Sequence, residues 1–191
     1  MRPDQWSNQS PCEDWTARDV VEHIVDMHAA MLRPLGRRLG HAASVAQDPL
    51  AAFRSARADV LAVLDDPDLA EAMVDTPSGH MAASQYIDKV LSDDLPLHGW
   101  DLARATGQDD SIDPHDVERI WATITALPDE LLTAFRTPDA FGPGVKVLGP
   151  EVKVPDDAAL QDRLLGLLGR DPGQRRNTHG DGSSPHLSNG E

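Results

Sequence analysis

Apolar residues recur at the three- and four-residue spacing of an α-helix in several stretches of the chain. Such spacing places the apolar side chains on one face of each helix, and that face must be buried against a neighbouring element. The chain is therefore predicted to be all-α. The positions that carry the pattern are Val20, Ile24, Met27 and Met31; Leu50, Phe53, Val60, Leu61 and Leu64; Tyr86, Val90, Leu91, Leu97, Trp100 and Leu102; Val117, Ile120, Trp121, Ile124 and Leu127; and Leu160, Leu164, Leu167 and Leu168.

Capping residues and prolines mark where these helices begin. Thr16, with Asp19 three residues later, forms a variant of the capping box and starts the first helix. A capping acid followed by proline occurs twice, at Asp48-Pro49 and at Asp113-Pro114, and predicts the starts of the second and fourth helices. The third helix is expected to begin around residues 80–83.

The region after the fourth helix is predicted to be an appendage. A short helix is expected over residues 129–135 and a small hairpin over residues 145–154, followed by a final helix that ends at Gly169. Beyond residue 172 the chain has no apolar period and too little to bury. We therefore expect one domain over residues 1–172 and a disordered tail over residues 173–191.

Composition narrows the function classes. The 191 residues are 40% hydrophobic, which is enough for one domain with a core, and they carry a formal net charge of −15. A field of this sign repels phosphate backbones and anionic lipids, so neither nucleic acid nor a membrane is an expected partner. The single cysteine cannot form an intrachain disulfide, and we expect a cytoplasmic protein.

Two potential metal ligands lie four residues apart in the third predicted helix. Asp94 and His98 would project from the same face and could reach one ion. His23 falls inside the apolar stripe of the first helix, where a polar ring needs a partner. Two imidazoles and a carboxylate suit zinc, nickel, iron or manganese and leave coordination positions open. A histidine and an aspartate that satisfy each other in a metal-free core are the alternative interpretation.

Other polar residues flank the predicted ligands. Asp101 follows His98 by three residues and precedes Arg104 by three, so it either orients the imidazole or pairs with Arg104 on the helix surface. His80 is a candidate fourth ligand or substrate contact, although a solvated histidine is more common at such a position. Cys12 has no base beside it in the sequence, and we leave it out of the predicted site.

Three segments resemble the DinB-like family, in its branch related to the N-terminal domain of mycothiol-dependent maleylpyruvate isomerase. They are Ser-Pro-Cys-Glu-Asp-Trp-Thr at residues 10–16, Leu-His-Gly-Trp-Asp-Leu-Ala-Arg-Ala-Thr-Gly at residues 97–107, and Asp-Arg-Leu-Leu-Gly-Leu-Leu-Gly-Arg-Asp-Pro at residues 162–172. The resemblance covers roughly residues 4–172.

The resemblance implies a four-helix bundle that holds a divalent metal ion, most often zinc or nickel. The positions that match the family's ligands are His23, Asp94 and His98. Pro96 departs from the pattern, because proline in a helix interior removes a backbone hydrogen bond and kinks the axis. An interruption at Pro96 is therefore expected, and it leaves open whether Asp94 stands one turn below His98 or before the helix start.

Two functions remain open for a metal-binding protein of this kind. In the relatives implied by the resemblance, the metal activates a small thiol such as mycothiol, and the reactions are thiol transfer or isomerisation of a small electrophile. Arg104 is the candidate for an anionic group of the substrate. The alternative is a helical bundle in which the ion stabilises the fold and takes part in no reaction. The resemblance also makes a homodimer plausible.

Overall fold

The fold is seen in a computed structural model, which describes residues 2–40, 43–142 and 147–174. These residues form seven α-helices and one two-stranded antiparallel sheet. The broad all-α class is confirmed, whereas the four-helix bundle stays a prediction. In chain order the elements are α1 Ala17–Leu32, α2 Pro49–Leu64, α3 Pro67–Ala70, β1 Met73–Thr76, β2 Gly79–Ala82, α4 Ala83–Thr106, α5 Pro114–Thr125, α6 Asp129–Arg136 and α7 Leu160–Leu167.

The helix starts follow the capping residues found in the sequence. At α1, the Thr16 backbone N–H donates to Asp19 Oδ2 over 2.7 Å, and the Asp19 N–H donates back to Thr16 Oγ1. The hydrogen bonds from the Thr16 side chain and backbone hold the pKa of Asp19 below its ordinary value. Asp48 and Asp113 cap α2 and α5, each with proline at the first helical position.

The longest described helix, α4, joins two hydrophobic clusters. Its 24 residues span about 36 Å at the usual rise per residue. The first half packs with α1 and α2 around Met31, Val63 and Leu91, and the second half packs with α5 and α7 around Trp100 and Ile120.

Within the part of the chain that is described, no helix is both long and apolar enough to traverse a lipid bilayer.

The continuity of α4 corrects the expected interruption at Pro96. The helix runs unbroken from Ala83 to Thr106 and contains the proline. Pro96 has no N–H for the carbonyl of Ser92, one turn earlier, and that carbonyl instead accepts a hydrogen bond of 2.5 Å from Arg119 Nη2 of α5. The same guanidinium also binds Asp93 of α4 and Asp116 of α5. A side chain of α5 thus replaces the backbone hydrogen bond that α4 lacks at Pro96.

The hairpin lies elsewhere than predicted. Strands β1 and β2 pair Met73 with Ala82 through Thr76 with Gly79, so β2 occupies residues where the third helix was expected to begin. Of the predicted hairpin over residues 145–154, residues 145 and 146 lie outside the described part, and residues 147–154 form no strand. The backbone N–H of Val152 donates instead to Gly166 O of α7 over 2.9 Å. This segment therefore packs on a helix, and a Cβ at Gly166 would lie 2.5 Å from Val152 O.

The C-terminal boundary stays a prediction. The described residues end at residue 174, so residues 175–191 of the predicted tail lie outside them. The single domain over residues 1–172 is likewise an expectation, although the hydrophobic clusters do extend from α1 to Leu168.

Candidate metal centre

The three predicted ligands converge between α1 and α4. Oδ1 of Asp94 lies 3.2 Å from Nε2 of His23 and 3.6 Å from Nε2 of His98. The two imidazole rings meet edge to face, with centroids 4.4 Å apart. One ligand atom from each of the three residues lies within 4.8 Å of the others, and these residues form the metal triad.

The metal triad fits a divalent ion on chemical grounds. Asp94 Oδ2 is buried and has no hydrogen-bond partner among the described residues. A buried carboxylate oxygen without a partner is costly, and a cation would satisfy it. The Asp94 side chain is 17% exposed and that of His98 12% exposed, so the donors lie at the edge of the core, where a small ligand can reach them. Two nitrogens and one oxygen suit several divalent ions, among them zinc, nickel, iron and manganese, and leave coordination positions free.

Asp101 orients His98 instead of pairing on the helix surface. Its Oδ2 lies 2.9 Å from His98 Nδ1, and its side chain is fully buried. A buried carboxylate accepts, so the ring N–H is placed at Nδ1 and the Nε2 lone pair points toward Asp94. The arrangement is typical of metal-binding histidines, in which an acid fixes the ring orientation.

Arg170 joins the site from the far end of the chain. Its Nε and Nη2 donate to the two oxygens of Asp101 over 2.9 and 2.7 Å. Burial alone would raise the pKa of Asp101, but the charge of Arg170 and the hydrogen bonds from His98 and Arg170 lower it to about 2. Sequence reasoning missed Arg170; its one local signal is its place directly after the apolar run that ends at Gly169.

Cys12 lies beside this pair and is not an activated thiol. Its Sγ donates to Asp101 Oδ2 over 3.2 Å. Burial and the neighbouring negative charge of Asp101 raise the pKa of the thiol to about 12, because both disfavour a thiolate. Its sulfur does lie with His98 and Asp101 in a second group of potential ligand atoms within 4.8 Å of one another, but a thiol that keeps its proton is neither a good metal ligand nor a nucleophile.

Trp15 covers the imidazoles from the loop before α1. Its ring centroid lies 5.1 Å from that of His23 and 5.8 Å from that of His98, stacked on the latter. Asp14, which precedes it, has a φ of 64°, so a left-handed turn directs the indole onto the site. The metal triad therefore has an apolar wall on one side.

A cleft lies against the same wall. It has a volume of about 230 Å³ and is bounded by the loop before α1, the residues around Gly149 and the residues that follow α7. Trp15, Cys12 and Arg170 line it, and they also contact the metal triad or Asp101. A small ligand in this cleft would lie next to the residues that orient His98.

The two remaining candidates have partners of their own. His80 lies on β2 with its side chain 60% exposed, and its Nδ1 is 2.8 Å from Asp75 Oδ1. Arg104 forms an ion pair of 3.0 Å with Asp110, donates to Pro172 O and lies over the Trp100 ring. Both side chains are placed in contacts that a structural role explains.

Comparison with known proteins adds a family match. The family described as the mycothiol maleylpyruvate isomerase N-terminal domain matches residues 1–103, which include the whole metal triad. Two proteins of Mycobacterium tuberculosis, from strains CDC 1551 / Oshkosh and ATCC 25618 / H37Rv, are each 31% identical over 177 residues. The match covers 89% of this chain and 87% of each relative, and both relatives are described as uncharacterised. No solved structure matches the chain significantly.

Proposed function

The chain belongs to the mycothiol maleylpyruvate isomerase N-terminal domain family, and from this premise we propose that it binds a divalent metal ion and uses a small thiol. The thiol is of the mycothiol type, and the reaction is transfer of that thiol to a small electrophile or thiol-assisted isomerisation of it. The proposed ion is zinc or nickel, held by His23, Asp94 and His98.

One observation carries the proposal. Three donor atoms on two helices lie within 4.8 Å of one another, and the second oxygen of Asp94 is buried without a partner among the described residues. A metal-free core would be expected to pair or remove such an oxygen. A cation in the metal triad accounts both for the convergence and for the unpaired oxygen.

The residues around the proposed ion would have different roles in binding and orienting it. Nε2 of His23 and Nε2 of His98 lie 3.2 and 3.6 Å from the same oxygen of Asp94, so both nitrogens would bind one ion there and Asp94 would contribute the negative charge. Asp101 keeps the proton of His98 on Nδ1. Trp15 excludes water from one side. A bound zinc or nickel ion would supply the Lewis acidity that lowers the pKa of a thiol or water molecule reaching the site.

A structural ion is the second candidate. The ligands come from α1 and α4, which pack directly against each other, so an ion there would also clip two core helices together. Only three protein ligands are present in the triad, however, and closed structural zinc sites usually have four. The open position favours chemistry over a clip.

Metal content tests the binding part of the proposal. Protein purified without added metal should retain close to one zinc or nickel ion per chain by elemental analysis. His23→Ala, Asp94→Ala and His98→Ala should each lose it. His115→Ala, which changes an exposed histidine at the start of α5, is the matched control and should retain the metal.

Turnover and stability measured together separate enzyme from clip. His98→Ala is assayed for thiol transfer from mycothiol to a chromogenic electrophile and for thermal unfolding. Catalytic use predicts lost turnover with modest destabilisation, whereas a structural ion predicts a large fall in the unfolding temperature. Wild-type protein that retains metal but transfers no thiol to any tested electrophile would leave the structural function as the better account.

The predicted homodimer belongs to the same proposal. Leu50 and Leu64 lie on α2 with 48% and 38% of their surface exposed, and they provide apolar area for a second copy. Light scattering coupled to size exclusion measures the mass directly, and a monomer at assay concentration would remove this part of the proposal.

A further inference from the structure

We propose that Arg170 is a positioning residue of the metal centre, acting through Asp101 to hold the His98 ring so that its Nε2 faces the ion. The inference rests on the proposed metal function of the triad and deepens it. It also makes the segment after α7 part of the site, although the family match ends at residue 103.

The geometry of the contact supports a positioning role. The guanidinium of Arg170 binds both oxygens of Asp101 at once, which fixes the plane of the carboxylate as well as its position. The same Oδ2 that accepts from Arg170 Nη2 at 2.7 Å accepts from His98 Nδ1 at 2.9 Å. Any rotation of the Asp101 carboxylate would therefore move the acceptor of His98.

Burial makes this arrangement rigid. Asp101 is fully buried and Arg170 is 9% exposed, so water cannot replace either partner. Without the guanidinium, the hydrogen-bond partners left to the buried carboxylate among the described residues would be the imidazole of His98 and the neutral thiol of Cys12. Neither of these two contacts fixes the plane of the carboxylate, so Asp101 would be free to rotate and the acceptor that orients the His98 ring would move with it.

The backbone conformation before Arg170 places its side chain next to Asp101. Gly169 has a φ of 83°, and a Cβ at this position would lie 2.6 Å from Gly149 Cα, so the turn requires glycine. The N–H of Arg170 then donates to Leu165 O over 2.9 Å, closing the end of α7. Leu165 and Leu168 are anchored in the cluster shared with α4 and α5, which carries Arg170 to Asp101.

Cobalt binding by the full chain is the first readout. Arg170→Lys keeps the charge and loses the two-pronged contact with Asp101. It is expected to bind Co²⁺ about tenfold more weakly than wild type in a competition titration, with an altered d–d absorption spectrum. Arg136→Lys is the matched control, because Arg136 donates to Leu167 O and anchors the same helix without touching Asp101. Its affinity and spectrum should match those of wild type.

Histidine ¹⁵N chemical shifts in the metal-free protein are the second readout. In wild type, His98 should carry its proton on Nδ1, and in Arg170→Lys the tautomer population should shift toward Nε2. This measurement needs no metal. Should Arg170→Lys fail to fold by circular dichroism, Arg170→Gln, which keeps an N–H donor, replaces it in both experiments.

The outcomes separate this inference from the proposed function. If wild type binds no metal, the proposed function fails, and the role in metal binding inferred here fails with it. If wild type binds cobalt and Arg170→Lys matches it in affinity and in the His98 shifts, only the role of Arg170 is overturned. Equal losses in Arg170→Lys and Arg136→Lys would also overturn it, because docking of α7 would then explain the effect.

Discussion

Asp94 Oδ1 lies 3.6 Å from Nε2 of His98, one turn further along an unbroken α4. Pro96 lies between the two ligands, and a proline there ordinarily kinks a helix. Pro96 has no N–H to donate to the carbonyl of Ser92, and this carbonyl accepts a hydrogen bond from Arg119 of α5 instead. We therefore expect the spacing of the two ligands in α4 to depend on a side chain from a different helix.

A double-mutant cycle should measure this dependence. Arg119→Met is expected to lower the free energy of unfolding by about 1 kcal/mol, since the Ser92 carbonyl loses a charged donor that is itself partly exposed. Pro96→Ala should raise it by about 2 kcal/mol, because it restores a backbone donor to the helix interior. In the Pro96→Ala background Arg119→Met should cost less, with a coupling of about 0.5–1 kcal/mol in urea unfolding. Strict additivity would show that Arg119 does not compensate for the proline.

Metal binding should stabilise the protein through Asp94. Wild type at a metal concentration of 100 times the dissociation constant is expected to gain about 2.7 kcal/mol. Asp94→Asn should lose nearly all of this gain, because a neutral amide is a poor ligand and leaves the two imidazoles alone. Thermal unfolding with and without zinc or nickel measures the difference.

Asp88→Asn is the control for that experiment. It makes the same chemical change at an exposed position of α4, outside the metal triad, and should keep the full metal-dependent gain. An equal gain in Asp94→Asn and wild type would place the ion elsewhere.

The parts of this structure that could be read from the sequence depend on neighbours in the chain. The caps at Thr16 and Asp48 are local, and the structure has both where they were expected. The four-residue spacing of Asp94 and His98 is also local, but its geometry was left open by Pro96 and follows from the continuity of α4. His23 was found because a polar ring in an apolar stripe requires a partner.

The features that sequence reasoning missed depend on contacts between distant segments. Arg170 reaches Asp101 across 69 positions, and Arg119 reaches Ser92 across 27. No local pattern reports such pairs. The misplaced hairpin has the same origin, because the N–H of Val152 finds its acceptor in α7 and not in a partner strand.

Cys12 should behave as a buried neutral thiol. Its pKa is raised from 9.0 to about 12 by burial first and by Asp101 second. Iodoacetamide at pH 8 should therefore modify the folded protein slowly and the urea-unfolded protein rapidly, as followed by mass spectrometry. Rapid modification of the folded protein would contradict this assignment.

The same shift sets a pH dependence of stability. Below about pH 9 the thiol keeps its proton in both states, so its contribution is fully present. Between about pH 9 and 12 only the unfolded state loses the proton, and stability falls as pH rises. Wild type should lose stability faster than Cys12→Ala from pH 9 to 11 in urea unfolding. Parallel curves would show that the thiol is not shifted.

Trp15 should report occupancy of the metal triad directly. Its ring lies 5.1 Å from that of His23 and 5.8 Å from that of His98, so an open-shell ion between the imidazoles would quench its fluorescence. Cobalt or nickel titration is expected to lower the emission, with its midpoint at a free metal concentration equal to the dissociation constant. Trp15→Phe should abolish most of this change and keep the affinity. Trp121→Phe removes an indole that packs on Arg163 and is the matched control. Quenching that persists unchanged in Trp15→Phe would mean that the ion binds away from His23 and His98.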